Sequence, residues 1–472
     1  MTLSPASDEL IAGLKELLGP KGWRDPADAP EAFREDRDRF TGVGALVAQP
    51  ETTEEVAGIV RRCAAARVPV IPYGGATGLV AGHLTEAAPA PVVVSLRRMN
   101  RIRDVDAVDN ALVAEAGVIL RDIQDAAAAA DRLFPLSLAS EGTCRIGGNL
   151  AANAGGINTL RYGNARDLCL GVEAVLPTGE VFDGLKRLRK DNMGYDLRHL
   201  LIGSEGTLGI ITAAALKLYP RPPETAAAFL ATPSPQAAVE LLHFLRPRVG
   251  ETISAFELID VAGLEFLEEA GFAFSKPLDP APHWSVLVEC GGQAGIGELL
   301  EAALADAFEA GLATDGVLAQ SEAQRQAFWH VRETIPLANR AVGAISSHDV
   351  AVPVARIPEF IETATREVAA FDATIRINCF GHVGDGNLHF NLYPPKGRKK
   401  EEFADRREAA KRLIHDIAHA CEGSVGAEHG VGRLKVNDLV RYGDPGLLTA
   451  MRAIKQALDP AGIMNPGVML AP

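Results

Sequence analysis

The sequence predicts an α+β protein of two or three domains, and three observations carry that expectation. At 472 residues the chain exceeds what one hydrophobic core ordinarily organises. Its first half alternates short β-branched runs with helical segments and glycine loops. Its second half alternates strands with long helices, the pattern of a separate domain with a mostly antiparallel sheet.

The elements can be justified in order. "MTLSPASDELIAGLKELLG" reads as an amphipathic helix started by Ser7 and stopped by Gly19-Pro20. Residues 46–96 read as strand ("ALVAQP"), helix, strand ("VPVIPYGGATG"), glycine loop and strand ("PVVVSL"). The helix carries a capping box, Thr52 with Glu55. Further strands are expected at "ALVAEAG", at the hairpin "GVEAVLPTGEVFDG" and at "LGIITAAALKLY". Pro220, Pro222 and Pro223 mark a boundary. Beyond it, the strand "WSVLVECGG" is accompanied by helices around 295–311, 358–371 and 402–421, and the tail "LLTAMRAIKQALDPAGIMNPG" supplies one more. No internal repeat is visible.

Composition narrows the function classes. Hydrophobic residues make up 47% and charged residues 23%, an ordinary globular balance. A formal net charge of −14 argues against nucleic acid or an anionic membrane as main partners. No run of about eighteen apolar residues is present to span a bilayer, and the N-terminus lacks the basic start of a secretory signal, so a cytoplasmic location is expected. The six cysteines, Cys63, Cys144, Cys169, Cys290, Cys379 and Cys421, form no CxxC pair, which excludes the usual zinc-ribbon and iron–sulfur spacings.

Two kinds of motif carry chemistry. In "INCFGHVGDGNLHFNLY", two alternating runs flank Asp385-Gly386, the signal for a two-residue hairpin turn. That register pairs His382 with His389 and puts Asn391 on the same face; Cys379 then points to the opposite one. A cross-strand histidine pair is by itself more often a half-exposed surface pair. Forty residues on, "GSVGAEHGVGR" offers Glu428 and His429, and two histidines with a carboxylate suit a divalent metal. His415 and His419, spaced i,i+4, are a rival pair, but HExxH is absent and a structural role is favoured. The second motif is glycine: "YGGATGL", "EGTCRIGGNLAANAGG" and "GSEGTLG" fall in one half. Such runs let backbone N–H groups approach a phosphate. None matches GxGxxG opening a helix, and none is followed by Lys-Ser or Lys-Thr.

Taken in order, "PYGGATGL", "GTCRIGGNLAANAGG", "RYGNARD", "LRKDNMGYDLRHLLIGSEGTLGIIT", "SAFELID", "GHVGDGNLHFN", "AEHGVGR" and "LDPAGIMNPG" resemble the FAD-dependent D-2-hydroxyacid dehydrogenases of the vanillyl-alcohol oxidase flavoprotein family, in its D-2-hydroxyglutarate and D-lactate branch. The likeness runs from about residue 40 to 468. It implies an N-terminal helical segment (1–39), a two-part FAD-binding domain (40–222), a substrate or cap domain (223–422) and a C-terminal segment (423–472) returning to the FAD domain, with the active site between the two domains. It implies non-covalent FAD held by Tyr73, Gly74, Gly75, Ala76, Thr77, Gly78 and Leu79, by Gly142, Thr143, Ile146, Gly147, Gly148, Asn149, Asn153, Gly155 and Gly156, and by Gly206, Ile210, Ile211 and Asn465. Relatives that bind FAD covalently carry a histidine in the first loop, where this chain has Ala76 and Thr77.

The resemblance further implies a divalent metal on His382, His389 and Glu428, zinc being the expected ion with manganese or iron as alternatives. It implies His429 as catalytic base, and Arg332, Asn391 and His382 at the substrate. A family threonine and lysine are here Pro336 and Ser347, so D-lactate or a longer apolar 2-hydroxyacid competes with D-2-hydroxyglutarate, and Arg376 is a candidate replacement cation. Electrons are expected to leave for an external acceptor: electron-transfer flavoprotein, a quinone or a cytochrome. A homodimer fits. The alternatives are a non-redox flavoenzyme similar to alkylglycerone-phosphate synthase and a metal-dependent hydrolase.

Overall fold

Val92, Val93 and Val94 form a strand buried on both faces, and that burial organises the first half of the chain. Such a strand needs cover on both sides, which parallel pairing through a crossover helix provides. In the computed structural model, which describes residues 2–34 and 41–471, the strands Leu46–Ala48 and Val70–Tyr73 flank Val92–Ser95 in parallel, and Trp23–Arg24 adds an antiparallel edge. The predicted boundary at residues 39/40 lies outside the described residues.

Helix Thr53–Ala66 makes the crossover. Thr52 caps it by accepting the Glu55 N–H at 3.1 Å, while the Glu55 carboxylate takes the N–H of Glu51 rather than that of the cap residue. The capping box is therefore half formed. Helix Asp8–Leu18 begins at Ser7 and ends at Gly19.

Two compact units result. One comprises residues 1–155, 163–221 and 428–472; the other comprises 156–162 and 222–427. The first unit holds the parallel sheet and a five-stranded antiparallel sheet ordered Ile102–Asp106, Ala111–Glu115, Ile210–Lys217, Cys169–Val175, Val181–Gly184. Its C-terminal segment bridges Val70 to Met464, with the Asn465 N–H donating to the Val70 carbonyl at 2.9 Å. The second unit is built on seven antiparallel strands in the order Asp315–Leu318, Glu224–Thr232, Trp284–Gly292, Ile253–Asp260, Arg376–His382, Asn387–Tyr393, Val350–Ala351. Its core gathers Phe229, Phe266, Leu287, Phe328, Ile335, Phe380 and Tyr393. The mix of helices with antiparallel sheets is the α+β class. Among the described residues no helix is long and apolar enough to cross a membrane.

Candidate active site

Strand Ile253–Asp260 is buried along its whole length and carries one charge at its middle, Glu257, which is 0% exposed. An unpaired buried carboxylate would protonate or destabilise the fold, so its partners matter. Glu257 Oε2 accepts from Arg332 Nε at 2.7 Å, and Oε1 accepts from His382 Nδ1 at 2.6 Å. Burial pushes the Glu257 carboxyl up. The adjacent His382 and Arg332 outweigh that and hold it far below the usual carboxylate range, at about 2. Glu257 therefore stays ionised, and an ionised carboxylate only accepts. His382 Nδ1 is then the donor, and in the neutral imidazole Nε2 carries the lone pair a metal would use.

The hairpin brings the two histidines together by a register other than the one predicted. Phe380 pairs with His389, Cys379 with Phe390 and Asn378 with Asn391. His382 pairs instead with Glu257 on the other neighbouring strand. The turn is a 3-10 turn, Val383–Asp385, closed by Gly386 at φ 89°, and Asp385 Oδ1 accepts the Asn387 N–H at 3.2 Å. Val383 and Gly384 lie in that turn and not in the ladder, while Leu388 and Asn387 pair on their strand's other edge with Val350 and Ala351. The slip is two residues, which preserves side-chain parity. The imidazoles of His382 and His389 face each other with ring centroids 6.0 Å apart. Gly386 is required here, because a Cβ would lie 2.2 Å from the Val352 carbonyl oxygen.

Arg332 projects from helix Glu322–Val342, which the sequence did not announce because Pro336 lies inside it. Arg325 and Trp329, two turns and one turn earlier, both donate to Glu289 Oε2 at 2.6 Å and tie the helix to strand Trp284–Gly292. Arg332 is 5% exposed and its guanidinium lies over the Phe380 ring, 4.9 Å from the centroid. Among the described residues nothing accepts from its two terminal nitrogens. Asn391 is buried, and its Oδ1 accepts the His348 N–H at 2.9 Å, which leaves its NH₂ as the group to offer a substrate. Pro336 and Ser347 are both exposed.

Arg376 does not supply a replacement cation. Its guanidinium is committed to Glu269, at 2.6 and 3.3 Å, and to the Pro394 carbonyl at 2.8 Å. His415 is buried and stacks edge-on against His348, while His419 is exposed. Neither joins a potential metal-binding cluster among the described residues. All six cysteines are buried and unbridged; burial pushes the Cys379 thiol well above its ordinary range.

In the first unit the glycine loops pack backbone against backbone. A Cβ on Gly75 would come 2.6 Å from the Thr143 carbonyl oxygen, and one on Gly147 would come 2.6 Å from Ala116 Cβ. Gly78, Gly142 and Gly148 instead border open space. Ala76 adopts φ 59°, a left-handed conformation costly for a residue with a Cβ. Beside these loops the buried Arg145 Nε, Asn149 Oδ1 and Ser95 Oγ have no hydrogen-bond partner among the described residues. An orphaned guanidinium donor next to bare glycine backbone fits a phosphate-bearing cofactor such as FAD. Ile210 belongs to the core around the parallel sheet, and Ile211 is also buried. The predicted run 142–156 is split, since Gly156 belongs to the other unit, where its N–H donates to Thr159 Oγ1 at 3.0 Å.

From Glu428 onward the "AEHGVGR" loop belongs to the first unit. The Glu205 carboxylate accepts the Val431 and Gly432 N–H groups, each at 2.7 Å; burial nevertheless raises its pKa. Asn465, at φ 41°, donates to the Gly82 and Glu205 carbonyls at 2.9 and 2.8 Å. Arg433 donates to the carbonyls of Leu84 and Pro466; burial lowers its pKa to about 10. His429 Nε2 lies 3.3 Å from Glu428 Oε1.

Sequence reasoning missed Glu257, Glu205 and Arg145. For Glu257 a signal existed: one carboxylate inside the otherwise apolar run "ISAFELI", where a charge is tolerated only with partners.

Comparison with known proteins defines the class. The model for "FAD linked oxidases, C-terminal domain" matches residues 221–469, and the model for "FAD binding domain" matches 44–184. The fold is similar to that of p-cresol methylhydroxylase with substrate bound (TM-score 0.77, 17% identity, 99% of this chain and 98% of that one). It is also similar to alkyldihydroxyacetonephosphate synthase (0.75, 19%, 99% and 86%). This is therefore an FAD-linked flavoenzyme, a dehydrogenase acting on CH–OH groups. D-2-hydroxyglutarate dehydrogenases are similar along nearly the whole chain. That of Stutzerimonas stutzeri is 34% identical (98% of this chain, 99% of the relative), that of Xanthomonas citri 35% (94% and 93%), and the mitochondrial enzyme of Arabidopsis thaliana 34% (97% and 80%). The chain belongs to the FAD-dependent D-2-hydroxyacid dehydrogenases of the vanillyl-alcohol oxidase family.

Proposed function

We propose that this enzyme oxidises a D-2-hydroxyacid to the 2-oxoacid, with Arg332 holding the substrate carboxylate and His382, His389 and Glu428 holding a divalent metal. The observation that carries this reading is the buried chain Arg332–Glu257–His382, which presents a guanidinium end beside a histidine pair. When bound, FAD supplies the hydride acceptor and the metal supplies Lewis-acid polarisation of the hydroxyl and carboxylate oxygens.

The protein's own groups bind and orient. Arg332 offers two parallel N–H donors, the geometry suited to a carboxylate, and the Asn391 NH₂ offers another. Chain continuity supports Glu428 as third ligand. Ala427 donates its N–H to the Asp349 carbonyl at 3.4 Å, and Asp349 immediately precedes the Val350–Leu388 pair that adjoins His389. Glu428 follows within one peptide bond. His429, next in sequence, takes the hydroxyl proton as a neutral imidazole. Tyr73–Leu79, Gly142–Gly156, Gly206, Ile210, Ile211 and Asn465 are the proposed FAD contacts and supports. Electrons leave for an external acceptor, with electron-transfer flavoprotein, a quinone and a cytochrome as candidates.

D-2-hydroxyglutarate is the first substrate candidate, on the strength of the relatives' names. The exposed Ser347 and Pro336 favour a second reading, in which a substrate with one carboxylate is preferred. Dye-linked turnover of D-2-hydroxyglutarate, D-malate, D-lactate and longer D-2-hydroxyacids separates the two by kcat/KM. Metal analysis of His382→Ala and Glu428→Ala tests the ligand set: both variants lose metal and most of kcat while keeping FAD. Retention of metal in both sinks that part of the reading.

A further inference from the structure

We propose that Glu257 is a positioning residue that couples the metal site to the substrate-carboxylate site, one oxygen for each. This rests on His382 as a metal ligand and Arg332 as the carboxylate partner. Glu257 is fully buried, and its two oxygens are divided between two different functional side chains, at 2.6 and 2.7 Å. Its strand position enforces this, since Glu257 lies directly across the ladder from His382.

Each half of the fork has a chemical consequence. Accepting from Nδ1 keeps the His382 proton there and makes Nε2 the basic atom of the neutral imidazole, the one that can serve as a ligand. Accepting from Arg332 through Nε alone leaves the two terminal nitrogens parallel and unpartnered by any described residue. That end is the one that can receive a carboxylate with two hydrogen bonds. An electron pair at Nε2 and a bidentate cationic end are thus set at fixed spacing by one side chain. Phe380 packs against the Arg332 guanidinium and against the His389 ring, with the latter centroids 5.0 Å apart, and so restrains one partner of the fork and the histidine beside the other.

Replacement of the carboxylate by an amide separates the roles. Glu257→Gln has one acceptor oxygen, so it can serve His382 or Arg332 but not both. Glu257→Asp keeps the charge but shortens the reach by about 1.5 Å. The experiment measures zinc affinity by competition with a chelator, FAD content, and KM against kcat for the best D-2-hydroxyacid, in wild type, Glu257→Gln, Glu257→Asp and His382→Ala. The expected result is full FAD content in all four. Metal affinity falls about 10- to 100-fold in Glu257→Gln, KM rises about tenfold or more, and Glu257→Asp is intermediate in both. If the amide variant fails to retain FAD, the charge-keeping aspartate variant carries the test. Loss of metal in His382→Ala with metal affinity and KM unchanged in the folded Glu257 variants overturns the coupling role alone. Unchanged metal affinity in His382→Ala overturns the metal reading and the coupling with it.

Discussion

Glu257 and His382 stand directly opposite each other on neighbouring strands, with Oε1 and Nδ1 2.6 Å apart in a fully buried setting. Because the same carboxylate also holds Arg332, the removal of any member strands a charge or a donor. The Glu257 carboxyl is held at about 2, so its contribution to stability is present above the ordinary value of 4.5 and is lost as pH falls toward 2.

Arg332→Leu should leave Glu257 buried with a histidine alone. The expected cost is about 3–5 kcal/mol of stability, the range for breaking one side of a buried pair. KM for the hydroxyacid should rise at least tenfold, about 1.4 kcal/mol. Denaturant unfolding and steady-state kinetics check both. A variant with wild-type KM would remove Arg332 from the substrate site.

The glycines of the first unit should divide into two classes. Gly75→Ala drives a Cβ into the Thr143 carbonyl, so both the stability of the FAD-free protein and FAD retention should fall. Gly148→Ala points into open space and gains helix propensity, so the FAD-free protein should be as stable as wild type or slightly more so. Its FAD affinity should nevertheless drop, because the methyl occupies the cofactor's approach. Thermal unfolding without FAD and the flavin-to-protein absorbance ratio distinguish them.

Asp260 caps helix Val261–Glu269 by accepting the Ala262 N–H at 2.9 Å. Burial pushes its carboxyl up to about 6, more than the Ala262 N–H and the neighbouring His283 bring it down. A raised folded-state value means the contribution is present below about 3.8 and is lost as pH rises through about 6. Asp260→Asn keeps a capping oxygen and removes the titration. The Tm difference, variant minus wild type, should therefore grow between about pH 4 and pH 7. A difference that does not change with pH contradicts this.

Much of this fold was legible because local rules decided it. Ser7, Thr52 and Gly19 bound their helices as expected, and the valine run gave the buried parallel strand. Alternation placed His382 and His389 on one face, since parity survives a slip of two residues. The register itself was not legible. It depends on Val383–Asp385 closing as a 3-10 turn instead of a two-residue one, and on Glu257 standing across from His382 from 125 residues away. The Glu322–Val342 helix was hidden by Pro336, whose local penalty is overridden by the packing of Phe328, Trp329, Val331 and Ile335.

The central claim is that a D-2-hydroxyacid delivers hydride to the flavin of this chain. The direct measurement is the absorbance of the FAD-loaded protein under anaerobic conditions on addition of D-2-hydroxyglutarate, D-malate, D-lactate and longer D-2-hydroxyacids, each beside its L-enantiomer. The account predicts bleaching of the oxidised-flavin band by at least one D-acid at a rate its L-form does not match, and slower bleaching in Arg332→Leu. A flavin that stays yellow with every D-2-hydroxyacid contradicts it.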